Sequence, residues 1–153
     1  MAAQILDGKE VAKKVRAQVR REAKVFAEQT GRTPCLAVII VGEDPASQIY
    51  VKNKKLACEK CGFLSREYAL PETTTQQELI DLIRTLNCDA EVNGILVQQP
   101  LPKHMNVSQI NEVIDPDKDV DAFHPVNTGK IMIGDEGLLP CTPAGILEIL
   151  DAY

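Results

Sequence analysis

Two short apolar runs constrain this chain more than any other feature. Residues 35–41 read CLAVIIV, and residues 94–98 read GILVQ, apolar up to the last position. A strand wetted on one face alternates polar and apolar side chains. A continuous run marks a parallel strand covered on both faces. A further strand is expected at residues 65–70. Helical patterns fall between and around these runs. Val11, Val15, Val19 and Ala23 recur every fourth position, with Asp7 as N-cap, Glu10 as capping-box partner and Gly31 as the stop, which predicts a helix over 8–30. Asp44 and Pro45 suit the cap and first turn of a second helix, which Gly62 ends at about residue 61. Thr74 or Thr75 opens a third, carrying Leu79, Leu82, Ile83 and Leu86. A short helix is expected near 107–114, a polar loop at 115–127, a short strand at 130–133, and a helix capped by Thr142-Pro143 that runs to about 150. This alternation predicts an α/β chain: a three-layer α/β/α domain around a mainly parallel sheet of about four strands. No internal repeat, low-complexity tract or linker is visible.

The chain has 153 residues, about one domain, and its 44% hydrophobic content is enough for a core. A net charge of −5 leaves no basic footprint for nucleic acid. The basic residues of the first third alternate with acids and alanines, as on a solvated helix face. The start, MAAQILDGKE, lacks the charged and apolar regions of an export signal, and no apolar run is long enough to span a membrane. Five cysteines, an odd number, then suggest reduced thiols in a cytoplasm-like compartment.

Three segments carry chemistry. The first, residues 47–55, reads SQIYVKNKK. On a helix, Tyr50 and Lys54 share a face, with Ser47 one turn earlier. A hydroxyl, a phenol and an amine would then project from the C-terminal edge of a strand, where open α/β sheets bind ligands. A desolvated amine can exchange protons near neutral pH, although a helical lysine is more often simply exposed. The second segment, 94–102, reads GILVQQPLP. Its prolines stop sheet pairing and fix the loop leaving the strand. Gln98 falls at that edge, either to hold Lys54 by a hydrogen bond or to satisfy loop backbone. The third segment, 115–125, reads DPDKDVDAFHP. Counted as a calcium loop from Asp115 it fails, with Val120 where glycine is required and Val126 where glutamate is required. It is either a solvated acidic turn or a loop that aims Asp121 inward beside Val120 and Phe123, to meet an amidine-like N–H pair. His124 lies nearby, and His104 has no assigned role. Cys58 and Cys61 form a C-x-x-C without a second pair, which favours structural thiols over a zinc or redox site.

In this order, PASQIYVKNKK, GILVQQPLPKH, PDKDVDAFHPVNTG and LLPCTPAGI resemble the N-terminal domain of the bifunctional methylenetetrahydrofolate dehydrogenase/methenyltetrahydrofolate cyclohydrolases of the FolD type. The resemblance covers essentially the whole chain and implies a domain like the N-terminal domain of amino-acid dehydrogenases. It implies oxidation of 5,10-methylenetetrahydrofolate with NADP, or NAD as in some members, then hydrolysis to 10-formyltetrahydrofolate. It also implies a role in one-carbon metabolism and purine biosynthesis, a cytoplasmic location, a homodimeric parent enzyme and no metal. Carried over, Lys54 is the catalytic lysine and Gln98 hydrogen-bonds it. Tyr50 stacks on the folate, and Asp121 binds the amino-pyrimidine edge of the pterin. Backbone around Val97 to Leu101 lines the folate cleft. Cys141 and Thr142 belong to an interdomain crossing near the cofactor.

Two departures follow. The family has Gly where this chain has Ala122, which is tolerable only where the backbone avoids positive φ. The resemblance also implies a Rossmann-type cofactor domain beyond residue 153, and the nine glycines here form no G-x-G-x-x-G. The chain is thus expected to be the catalytic half alone, with its dinucleotide site missing, no dehydrogenase activity and impaired cyclohydrolase activity. Exposed apolar surface near the C-terminal helix is expected to accompany such a truncation. The competing expectation is a non-catalytic folate-binding or interaction module. The substrate domain of an amino-acid dehydrogenase relative is a third, and Lys54 with Gln98 and Asp121 argues against it.

Overall fold

The computed structural model describes residues 5–153. The elements, in chain order, are α1 (Gly8–Thr30), β1 (Cys35–Val41), α2 (Pro45–Cys61), β2 (Leu64–Leu70), α3 (Gln76–Cys88), β3 (Gly94–Val97), α4 (Val107–Asn111), α5 (Pro125–Ile133) and α6 (Cys141–Asp151). Part of the stretch read for an export signal, residues 1–4, lies outside the described residues.

Local chemistry accounts for the helix ends. Asp7 accepts the N–H groups of Lys9 and Glu10 ahead of α1, while the Glu10 carboxylate lies 4.0 Å from Lys13 instead of closing a capping box. The box forms at α3, where Thr75 accepts from the Glu78 N–H and Glu78 accepts from the Thr75 N–H. Gly31, Gly62 and Gly134 end α1, α2 and α5 in the left-handed region that glycine adopts without steric cost. At the C-terminus of α3, Lys118 Nζ donates to the carbonyls of Leu86, Asn87 and Asp89, placing a cation where the helix dipole is negative.

Among the described residues, the sheet has three strands in the order β2-β1-β3, all parallel, with Ile39 opposite both Tyr68 and Val97. Strand alternation divides the core. Ala37, Ile39, Ile95 and Val97 face Leu79, Ile83 and Leu86 of α3 and Ile110 of α4. Val38, Ile40 and Leu96 face Val51 of α2 on the other side. β1 is therefore covered on both faces, which is why its sequence is unbroken by polar residues. Each large aliphatic side chain sequestered here contributes about 1.5–3 kcal/mol.

The expected fourth strand does not form. Residues 130–133 are the last turn of α5, begun by His124 and Pro125 and stopped by Gly134. Met132 is 81% exposed, so this apolar run has no sheet to enter. Beside β3 the chain makes only a single bridge, Ile95 with Asp119, where the Ile95 N–H donates to the Lys118 carbonyl at 2.7 Å. Smaller differences also lie at element ends. β2 begins at Leu64, β3 ends at Val97, α4 stops at Asn111, and α6 starts at Cys141 with Thr142 and Pro143 inside its first turn. Apolar side chains of α5 and α6, among them Ile133, Ile146, Leu147 and Leu150, face solvent. Among the described residues, no helix is long and apolar enough to cross a membrane.

Candidate functional site

α2 begins where the Asp44 carboxylate accepts the Ser47 N–H at 2.8 Å, a bond that holds the Asp44 pKa below its ordinary value. This start sets the rotation of the helix. Tyr50, Lys54 and Cys58, each one turn apart, line a cleft between α2 and the sheet. Ser47 does not join them. It is buried, and its hydroxyl donates to the Gln99 carbonyl at 3.4 Å, tying α2 to the loop after β3.

Gln98 reaches the cleft by parity. Gly94 and Leu96 lie on the α2 side of β3, and Gln98 continues that face. Its Oε1 accepts from Lys54 Nζ at 2.8 Å, while its Nε2 donates to the Gln99 carbonyl at 2.7 Å. The second bond fixes which end of the amide faces the lysine. The same parity turns Val97 away into the core beneath α3, and Leu101 packs against that core too. Of residues 97–101, only Gln98 lines the cleft.

Asp121 lines the cleft from the loop after β3's single bridge, with Val120 beside it. Burial pushes its pKa up, the positive charge of Lys54 opposes this, and Asp119 adds to the rise. The chain turns sharply here, with the Ala122 N–H donating to the Asp119 carbonyl at 3.1 Å. Ala122 takes φ 55°, the left-handed conformation that its side chain was expected to exclude. Phe123 does not close over Asp121 but is exposed. His124 caps α5, its Nδ1 accepting the Val126 N–H at 3.1 Å. Asp115 accepts the Asp117 N–H at 3.0 Å, so these two acids form a turn.

The cleft, about 760 Å³, lies along the sheet face from Cys35 and Gly94 up to Gln98, not only at the C-terminal edge of the strands. Its walls are Leu36, Leu96, Val120 and Phe63, with Cys141 and Thr142 entering from α6. Cys141 Sγ donates to the Val120 carbonyl at 3.8 Å. A hollow of similar size, about 770 Å³, lies between α2 and β2. Its Lys55 is paired with Glu67 at 3.2 Å across an open surface. Volume does not separate the two. The amine held by an amide beside a half-buried carboxylate does, because only that arrangement suits proton transfer.

The other singled-out residues are structural. Cys35, Cys58 and Cys61 are buried free thiols, and burial raises the pKa of Cys35 and Cys58, which disfavours the reactive thiolate. His104 Nε2 bonds the Thr74 carbonyl at 2.9 Å. Among the described residues, no three His, Cys, Asp or Glu side chains gather to hold a metal. Sequence reasoning missed Asn93 and Phe63 as lining residues, and Asp119 as the buried anchor of the loop. An apolar residue between two acids, as in Asp119-Val120-Asp121, was the available signal for Asp119.

Residues 6–121 match the family described as tetrahydrofolate dehydrogenase/cyclohydrolase, catalytic domain. The chain is 54% identical over 151 residues to the bifunctional protein FolD of Ruminiclostridium cellulolyticum, covering 99% of this chain and 53% of that protein. It is 52% identical over 154 residues to the bifunctional protein FolD of Neisseria gonorrhoeae, covering 54% of it. Among solved structures, the bifunctional FolD methylenetetrahydrofolate dehydrogenase/cyclohydrolase of Campylobacter jejuni superposes with a TM-score of 0.96 at 50% identity, over 99% of this chain and 54% of that one. The Trypanosoma brucei methylenetetrahydrofolate dehydrogenase-cyclohydrolase, solved with NADP cofactor and inhibitor, gives 0.93 at 34% identity, over 99% of this chain and 52% of that one. The chain spans about half the length of the curated relatives it matches. By its matched residues and its fold, it belongs to the tetrahydrofolate dehydrogenase/cyclohydrolase catalytic-domain family.

Proposed function

We propose that this chain is the folate-binding and proton-transferring part of a methylenetetrahydrofolate dehydrogenase/methenyltetrahydrofolate cyclohydrolase. The observation that carries this is the 2.8 Å bond from Lys54 to Gln98, in one cleft with Tyr50 and Asp121. Asp121 accepts hydrogen bonds from the amino-pyrimidine edge of the pterin. Tyr50, 61% exposed at the cleft, stacks on the folate ring system.

For the hydrolytic step, water adds to the electrophilic amidinium carbon of methenyltetrahydrofolate. One proton of that water passes to the Lys54 amine and on to N5 as the carbon–N5 bond breaks, and the other leaves the hydroxyl to solvent as the carbonyl forms, so that the methenyl cation gives the neutral 10-formyl product. Gln98 accepts a hydrogen bond from the lysine throughout and keeps its nitrogen aimed at the reacting carbon.

The parent reaction would also use NADP as hydride acceptor. The described residues do not form a dinucleotide cradle: of the left-handed glycines, Gly31, Gly62 and Gly134 end helices, and Gly42, in the turn between β1 and α2, has no second glycine beside it. No hydride step is therefore assigned to them. Cys141 and Thr142 are proposed only to border the nicotinamide side of the cleft. The same reading places the parent protein in the cytoplasm, as a homodimer serving one-carbon metabolism and purine biosynthesis. Sedimentation of the full-length protein as a monomer would remove the dimer from it.

The test is hydrolysis of methenyltetrahydrofolate, followed as loss of absorbance without any nicotinamide, for wild type against Lys54→Met. A rate that falls at least about a hundredfold in the variant is the expected outcome. Saturable folate binding without hydrolysis would leave this chain as a binding module that needs further residues for catalysis. A folded chain with neither activity nor binding would refute the assignment.

A further inference from the structure

The acidic group with the most unusual setting lies behind the cleft. Asp119 is 2% exposed, and a buried carboxylate is costly unless donors or a countercharge meet it. Its Oδ2 accepts from the His124 N–H at 2.8 Å and from Asn127 Nδ2 at 3.0 Å. Neither donor carries a full charge. Asn127 is itself buried, and its Nδ2 also donates to the Pro116 carbonyl at 2.8 Å, so the amide is locked. The adjacent cation, Lys118, is turned away to the C-terminus of α3. What faces Asp119 is the N-terminus of α5, of which His124 is the cap residue.

The same residue shapes the turn in front of it. Its carbonyl accepts the Ala122 N–H, and this reversal sends Asp121 into the cleft. In an extended chain, Asp119 and Asp121 would point the same way. The turn separates them, one into the core and one toward the ligand.

We propose that Asp119 is a positioning residue for Asp121: it pins the turn to α5 and sets a fixed negative charge behind the cleft carboxylate. The proposal rests on the reading of Asp121 as the group that meets the pterin. Other charged or titratable groups line the same cleft as Asp121. α2 presents Lys54, Tyr50 and Cys58; β1 presents Cys35, and α6 presents Cys141. β3 presents only Gly94, Leu96 and the neutral Gln98 beyond its end. His124, on the same loop, is engaged with the Val126 N–H. Among the described residues, Lys54 is thus the one cation lining the cleft, and it favours ionised Asp121 while Asp119 opposes it.

The experiment is a ¹³C carboxyl NMR titration of Asp121 in the whole chain, with the resonance assigned through Asp121→Asn, in wild type and Asp119→Asn. The amide keeps an oxygen for the His124 and Asn127 donors and removes the charge. The expected result is a folded variant in which the Asp121 midpoint moves to lower pH. Where methenyltetrahydrofolate binds, the acid limb of its affinity moves down with it. An unchanged midpoint in folded Asp119→Asn overturns the proposal. If that variant does not fold, Asn127→Ala carries the test, since it keeps both carboxylates and removes one pin. A shifted or broadened Asp121 resonance is then expected, and an unchanged one overturns the proposal. The titration uses no folate, so its failure is distinct from failure of the Lys54→Met assay.

Discussion

Ala122 has the only positive φ outside glycine among the described residues. The left-handed conformation costs a β-carbon about 1–2 kcal/mol. Two terms favour keeping it. Its methyl is 2% exposed, and burying such a group contributes about 0.8 kcal/mol. Alanine also loses less unfolded-chain entropy than glycine, by about 0.4–1 kcal/mol. The terms nearly cancel, so Ala122→Gly is expected to lie within about 0.5 kcal/mol of wild type in urea unfolding. Ala122→Val adds a branched side chain to the same strained, buried turn and is expected to cost more than about 2 kcal/mol. Asp121 gives a pH-dependent prediction. Its folded pKa lies above the unfolded value of 3.8, so the folded chain holds the proton more tightly. Its contribution therefore falls as pH rises from that value through the raised one. Asp121→Asn should remove this loss, making the chain more stable near neutral pH while weakening folate binding. Melting curves over pH that show no gain would contradict the burial of that carboxylate.

The elements that matter most are β3 and the loop beside it. A β-carbon on Gly94 would come 2.5 Å from Val120 Cγ1 and 3.4 Å from Leu36 Cδ1. Val120 is branched and partly buried, so it cannot simply swing aside. Gly94→Ala should push the Val120–Asp121 loop off β3, cost about 1–3 kcal/mol, and weaken folate binding while α2 stays formed. Amide exchange confined to the loop, with α2 unchanged, is the expected pattern. Helix ends were legible because caps are local: Asp7, Asp44, Thr75, Gly31 and Gly62 act within one turn of their helices. Residues 130–133 misled for the same local reason. A four-residue run with three apolar members suits either state until neighbours decide, and here no strand edge receives it.

Across the whole molecule, the sheet is wrapped by α2 on one side and by α3 and α4 on the other, while α5 and α6 keep an uncovered apolar face. Ile146, Leu147 and Leu150 are each more than half exposed. Exposed side chains contribute little to folding, so Leu147→Gln with Leu150→Gln is expected to change unfolding free energy by less than about 0.5 kcal/mol each. The same pair should reduce self-association in sedimentation, since it breaks a contiguous apolar patch. A large destabilisation would mean that α6 packs more deeply than its exposure indicates.

By itself the sequence determined the alternating α/β order, the buried central strand and the chemical types at Tyr50, Lys54, Gln98 and Asp121. Each is written in short-range pattern: residue period, caps, or side-chain chemistry. The sequence reading placed both Val97 and Gln98 at the cleft, and the structure turns Val97 into the core. Only the tertiary structure decided that three strands suffice, that Ser47 is consumed by the Gln99 carbonyl, and that Asp119 and Asp121 part company. Those outcomes depend on contacts between segments far apart in the chain. Parity would have set the two acids on one side. The turn at Ala122, held by Asp119 and the start of α5, overrides it because a buried carboxylate must find its donors wherever the fold supplies them.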